Sequence, residues 1–232
     1  MIKPREEASN YAVPIIIHVG VAKHAFVINQ DMLTKTSDYF KTALKECWNP
    51  VKGDETFRTV NLKDADEQSF NVYANWLHSR AIYSGTRDLQ NGGAFAILIR
   101  CYTLGDLLLD GDFKDAIADA FVCQLNTTGE DNMRYFPSRA EKHLLYKSTA
   151  PNAKLRQLAV ELFAASKTPR LLFEDDPPAF LFAVAQASMI GQQENRKAMF
   201  AECKYHEHGE GVDACYRKRL FATFDKPADD SK

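Results

Sequence analysis

The stretch Ile15–Asn29 reads IIIHVGVAKHAFVIN, and its reading decides the fold class. Ile15–Gly20 and Ala25–Asn29 are β-branched and apolar, and a short turn separates them, the pattern of a β-hairpin. Working outward, only Thr59–Leu62 reads as a further strand. Almost everything else that is apolar recurs at helical spacing. Three short strands placed early, followed by helices, predict an α+β domain with a helical extension.

Ser37 is placed to cap a helix over Asp38–Cys47 with Tyr39, Phe40, Ala43, Leu44 and Cys47 on one face. Asp64 and Glu67 form a capping pair ahead of a face made by Phe70, Tyr73, Ala74 and Leu77. Gly92-Gly93 marks a break, after which Ala94, Leu98, Cys101, Tyr102, Gly105 and Leu108 make one stripe that stops at Asp110-Gly111. Asp112 is expected to cap the next helix, whose face is Phe113, Ala116, Ile117, Ala120 and Phe121. Asn126–Pro137 is polar and turn-rich. Ser138 with Glu141 is a capping box, and Leu155, Leu158, Ala159, Leu162 and Phe163 form the buried side of a longer helix. Glu174–Pro178 reads as a linker before one or two helices over Ala179–Glu202. The expected organisation is a leader at 1–10, a first domain over 11–125, a helical extension over 126–202 and an irregular tail over 203–232.

The 232 residues are 45% hydrophobic and 26% charged, which excludes disordered, collagen-like and repeat-array classes. A net charge of −2 lacks the basic excess of a nucleic-acid binder. No apolar run is long enough to span a bilayer, and residues 1–10 lack the apolar core of a secretory signal. An odd count of five cysteines with no signal argues for reduced thiols inside the cell, in cytoplasm or nucleus. There is no nucleophile elbow, Gly-rich phosphate loop or His-Glu-x-x-His, so the chain is expected not to be an enzyme. The rival is a cysteine-dependent enzyme using Cys101 or Cys203. Arg217-Lys218-Arg219 is followed by Asp225, Asp229 and Asp230 and reads as a solvated tail, the rival being a DNA-associated regulator. Cys203, His206, His208 and Cys215 supply the four ligands of a closed tetrahedral zinc site. Their C-x2-H-x-H-x6-C spacing matches no standard finger, so structural zinc stands beside the alternative of an exposed polar tail.

Phe26, Leu33, Ser37 and Phe40 fall in the register Phe-x-x-His-Lys-x-x-Leu-x-x-x-Ser-x-x-Phe. Leu62, Asp64, Phe70, Trp76 and Leu77 follow as Leu-x-Asp, Phe and an aromatic-Leu pair, and Tyr102, Leu104, Gly105 and Asp106 as Tyr-x-Leu-Gly-Asp. In this order, over nearly half the chain, the string resembles a BTB/POZ domain. Val19-Gly20, Trp76-Leu77 and the His-x-His-plus-Cys tail are similar to its fungal branch. The sequence departs from the motif at Asn29-Gln30, in place of His-Lys, and at His78, in place of Tyr. Asn29 retains a side chain that hydrogen-bonds at a strand end.

The resemblance implies a small sheet covered by helices and a protein-interaction module, an adaptor or regulatory scaffold. It implies pairing with a second copy or with another BTB protein, through an apolar N-terminal face to which Tyr11, Val13 and Ile15 belong. A further protein partner would meet the helical extension. Adaptors of the family use an apolar-x-Glu element to bind a cullin ubiquitin ligase. Here Trp48 supplies an apolar anchor but Pro50 replaces the acid, so cullin binding is expected to be weak or absent.

Overall fold

A computed structural model of the chain describes residues 13–45, 57–84, 93–127, 134–190, 203–209 and 211–221. Tyr11 and Trp48, two of the expected interaction residues, lie outside them, as do Cys47 and Pro50. The described residues form a mixed α+β structure with one three-stranded sheet in the order β2-β1-β3. Strand β1 (Pro14–Val19) and β2 (His24–Asn29) make the expected antiparallel hairpin, with Ile17 opposite Phe26. Gly20 opens its turn at φ +71°, a conformation that only glycine adopts without strain. Strand β3 (Arg58–Leu62) lies parallel to β1 on the other side.

The alternation of β1 sends Ile15, Ile17 and Val19 inward, each fully buried. This corrects the expectation for Ile15: it sits in the central strand and belongs to the core, so it presents no docking surface. Val13 is partly exposed.

Helix α1 (Gln30–Thr36), which periodicity did not reveal, follows β2 directly. Asn29, the residue that departs from the His of the family motif, caps it by accepting from Asp31 N at 2.8 Å. Ser37 caps α2 (Asp38–Ala43) as expected. Its hydroxyl also donates to the carbonyl of Leu108 at 2.6 Å, fastening α2 to a distant part of the chain.

Helix α3 (Glu67–Ser79) is capped by Asp66, not Asp64. Helix α4 (Gly93–Leu107) packs on α5 (Gly111–Asn126), whose cap is Asp110, not Asp112. Asp110 is fully buried, and it also accepts from Thr36 Oγ1 at 2.6 Å and Tyr73 Oη at 2.9 Å. One carboxylate thereby joins α1, α3 and α5. In both corrections the acids lie two residues apart, and only the path of the backbone decides which one reaches the free amides.

The expected Ser138–Glu141 capping box opens α6 (Arg139–Ser148). Helix α7 (Lys154–Ser166) buries the expected apolar face. One core runs from Ile15 on β1 to Leu155 and Leu162 on α7 and takes in Tyr205, Cys215 and Tyr216. Of the residues carrying the motif, Leu33, Ser37, Phe40, Phe70, Trp76, Leu77, Tyr102 and Leu104 are buried in it. Phe26 is half-buried, 4.8 Å edge-on from Phe70.

Helix α8 (Pro178–Ile190) packs on α7 through a smaller cluster of Val160, Phe163, Phe180 and Val184. The expected linker before α8 is anchored. Asp176, 1% exposed, receives Lys142 Nζ, itself 1% exposed, at 2.5 Å, and Lys142 also donates to the Leu171 carbonyl. Phe163, Phe173 and Phe180 surround that ammonium at 5.0–5.5 Å. Among the described residues no helix is long and apolar enough to cross a membrane.

Candidate metal centre

The C-terminal stretch is not the irregular, solvated tail that its sequence suggests. It runs through 3-10 turns at Cys203–Tyr205 and Val212–Ala214 into α9 (Tyr216–Phe221), and it lies against α5. Three aspartates on α5, at positions i, i+3 and i+7, form the receiving stripe. Asp112 takes Arg219, Asp115 accepts from the Glu207 backbone N–H at 2.6 Å, and Asp119 takes the Arg217 guanidinium through both oxygens. The basic triplet is therefore engaged within the chain, since Lys218 pairs with Asp213 as well.

Further bonds hold the tail on either side. Glu207 accepts from Tyr102 Oη at 2.5 Å and pairs with Lys114 at 2.9 Å, while Glu161 of α7 accepts from both Lys204 and Tyr205 at 2.6 Å.

This docking brings the four expected ligands together. The donor atoms of Cys203, His206, His208 and Cys215 all lie within 4.8 Å of one another. His206 and Cys215 are buried, Cys203 and His208 half-buried.

With both rings neutral, the hydrogen bonds around them select the tautomer of each. His206 Nε2 lies 3.1 Å from Asp119 Oδ1. The Asp119 carboxylate only accepts, so Nε2 carries the proton and Nδ1 presents its lone pair. His208 Nδ1 lies 2.8 Å from the Gly209 carbonyl, so there the proton is on Nδ1 and Nε2 is bare. The two bare nitrogens face each other at 3.3 Å, and Cys215 Sγ is 3.6 Å from His206 Nδ1. In that neutral form the two facing lone pairs, with the Cys203 and Cys215 sulfurs beside them, make a donor set that could hold a metal ion. The carboxylate–histidine pairing of Asp119 with His206 is the outer arrangement that orients a metal-binding imidazole.

Charges nearby agree. Burial alone would raise the Asp119 carboxyl, but hydrogen bonds from His206, Arg217 and Tyr216 outweigh it and hold the group below its ordinary range. Burial pushes Asp115 up to about 7, and its Oδ2, 3.8 Å from His206 Nδ1, is buried with no hydrogen-bond partner among the described residues. Burial, reinforced by the neighbouring Cys215, pushes the Cys203 thiol up to about 11. A bound cation would reverse that preference, because a coordinating thiol is deprotonated outright.

Of the two cysteines weighed as nucleophiles, Cys203 is in this cluster. Cys101 is fully buried, and burial pushes its thiol up to about 12, the opposite of the depressed value a nucleophile needs. Cys123 is exposed. Sequence reasoning did not find Asp112, Asp115, Asp119, Glu161 and Glu207. The signal lay in three carboxylates at helical spacing on α5, a helix whose other faces are largely apolar.

No protein-family model matches this chain, and no curated protein matches it. Fold and site together define a mixed α+β protein with a two-cysteine, two-histidine donor cluster.

Proposed function

We propose that this chain is a non-enzymatic protein-interaction scaffold of the BTB/POZ type, whose tail is pinned by a structural zinc ion. The observation that carries the zinc reading is the convergence of four donors within 4.8 Å of one another, two of the pairs at zinc-like separations. Zinc–nitrogen and zinc–sulfur bonds of ordinary length make tetrahedron edges of about 3.3 Å between nitrogens and about 3.6 Å between nitrogen and sulfur. The facing nitrogens are 3.3 Å apart and the Cys215–His206 pair 3.6 Å apart. Four protein donors close the coordination shell, which is the pattern of a structural site and leaves no open position for a substrate.

The interaction reading is supported by the burial of the motif residues in one core and by Ser37. That serine of the first motif bonds the Leu108 carbonyl just beyond the third, so separate parts of the resembling string are knitted together. The raised Cys101 thiol supports the non-enzymatic reading. With Ile15 in the core, self-association uses the outward side of the sheet, where Val27 is exposed and Ile16 lies opposite it.

Light scattering after size exclusion at micromolar concentration should give about twice the 26.2 kDa chain mass, and Val27→Asp should shift it toward one. A monomer over a tenfold concentration range overturns the dimer. Elemental analysis of the purified chain should give one equivalent of zinc, lost in the double variant Cys203→Ser, Cys215→Ser. Substoichiometric zinc insensitive to those changes overturns the metal. Affinity capture with mass spectrometry then identifies what the scaffold holds.

A further inference from the structure

A cavity of about 620 Å³ opens between α4, the last turn of α5 and the segment that leads into α6. It is away from the Cys/His cluster and independent of the reading proposed for it. Its volume falls in the range of small-molecule sites. The space exists because the residues around it are small. Gly93, Ala96 and Ala140 leave room that Phe136 and its apolar neighbours wall in. Gly93 stands at φ +76°, where a Cβ would come 3.0 Å from Glu141 Oε1, so its lack of a side chain is built into the cavity.

Two charged residues reach the wall, and their situations differ. Glu141 is spent: one oxygen accepts from Ala96 N at 3.1 Å and the other from Ser138 N at 2.7 Å. Arg100 is half-buried and forms no hydrogen bond or ion pair among the described residues. A guanidinium always carries its charge, and partial burial without a carboxylate is a cost that an anionic ligand would remove.

We infer that this cavity binds an amphipathic monocarboxylic acid, with its apolar chain against Phe136 and its carboxylate on Arg100. The fork of the guanidinium matches the two carboxylate oxygens, and the apolar wall takes the hydrocarbon.

The test is calorimetric titration of the full chain with sodium dodecanoate below its micelle threshold, with dodecan-1-ol as the uncharged analogue. The acid should bind one to one, and the alcohol at least about tenfold more weakly, because a charge-assisted bond is lost. Arg100→Gln should weaken the acid by a similar factor. Ala140→Trp, a change at an exposed position of α6, should abolish binding by filling the space. Should that variant not fold, amide shifts in the wild-type spectrum still decide: dodecanoate should move the signals of Gly93, Ala96 and Ala140 and leave β1 in place. No saturable binding, unchanged affinity in Ala140→Trp, or shifts confined to another region overturns the site. Equal affinity for acid and alcohol overturns the role of Arg100.

Discussion

Asp119 on α5 and His206 in the tail are 87 residues apart in sequence and 3.1 Å apart in space. The contact is directional. By holding the proton on Nε2 it turns the Nδ1 lone pair toward Cys215 and His208. Asp119 also receives Tyr216 Oη at 2.5 Å and the Arg217 guanidinium, so the carboxylate that orients the imidazole also fastens α9.

On the proposed zinc reading, Asp119→Asn should therefore weaken metal binding without removing a ligand. Loss of an outer-shell partner of this kind costs about 10–100-fold in metal affinity. Competition against a chromophoric chelator at neutral pH measures it. An affinity equal to that of the wild-type chain would show that Asp119 serves only to dock α9.

Trp76 is fully buried, stacked on Tyr73 at 5.9 Å and tilted against Phe113 at 5.2 Å, with the Arg80 guanidinium 4.7 Å over its ring. Trp76→Ala should cost about 3–5 kcal/mol, the range for truncating a large core aromatic. Denaturant unfolding gives the value directly. A loss below about 1 kcal/mol would mean that the core collapses around the gap.

The buried Lys142–Asp176 pair predicts a non-additive result. Lys142→Met strands a buried carboxylate and should cost about 3–5 kcal/mol. The double change Lys142→Met, Asp176→Leu removes both charges and should recover most of that loss. A double-mutant cycle on thermal unfolding tests the pair, and additive losses would contradict it.

Glu161 supplies the pH dependence. Burial alone would raise its carboxyl, but hydrogen bonds from Lys204, Tyr205 and Gln157 hold it below its ordinary value of 4.5. A folded-state value below the unfolded one means the stabilisation is complete above about pH 4.5 and drains away as the pH falls through the lowered value. Glu161→Gln should lower stability by about 1 kcal/mol at pH 7, a figure kept small by solvent screening, and by less at pH 3. Melting the metal-stripped chain and its variant at both pH values isolates the effect from acid loss of metal. A gap of equal size at both would contradict it.

What the sequence disclosed was local. The hairpin showed in two β-branched apolar runs, Ile15–Gly20 and Ala25–Asn29, joined by a short turn. The Ser138–Glu141 box showed because both of its bonds close within three residues. The four-donor set showed in the residue types. Helix α1 stayed hidden because, of its seven residues, only Leu33 is buried, which leaves no periodic stripe to read. The docking of the tail was invisible for another reason. Arg217, Arg219 and Glu207 are ordinary charged residues until the fold brings Asp119, Asp112 and Lys114 to meet them. Asp176 lay in an expected linker and Lys142 carried no local signal, and only the packing of α6 against the segment before α8 removes the two charges from water.

The parallel pairing of β3 with β1 sets an order of events in folding. The β1–β2 hairpin closes through a four-residue turn and forms on a timescale of about 1–10 μs. Strand β3 must wait for a much longer loop, and the contacts of Asp112, Asp115 and Asp119 with the tail span 87–107 residues, among the slowest closures in the fold. Assembly thus runs from hairpin to helices to tail. The clasp on α5 bridges long sequence separations, so loop-closure entropy favours its closing on a body already built.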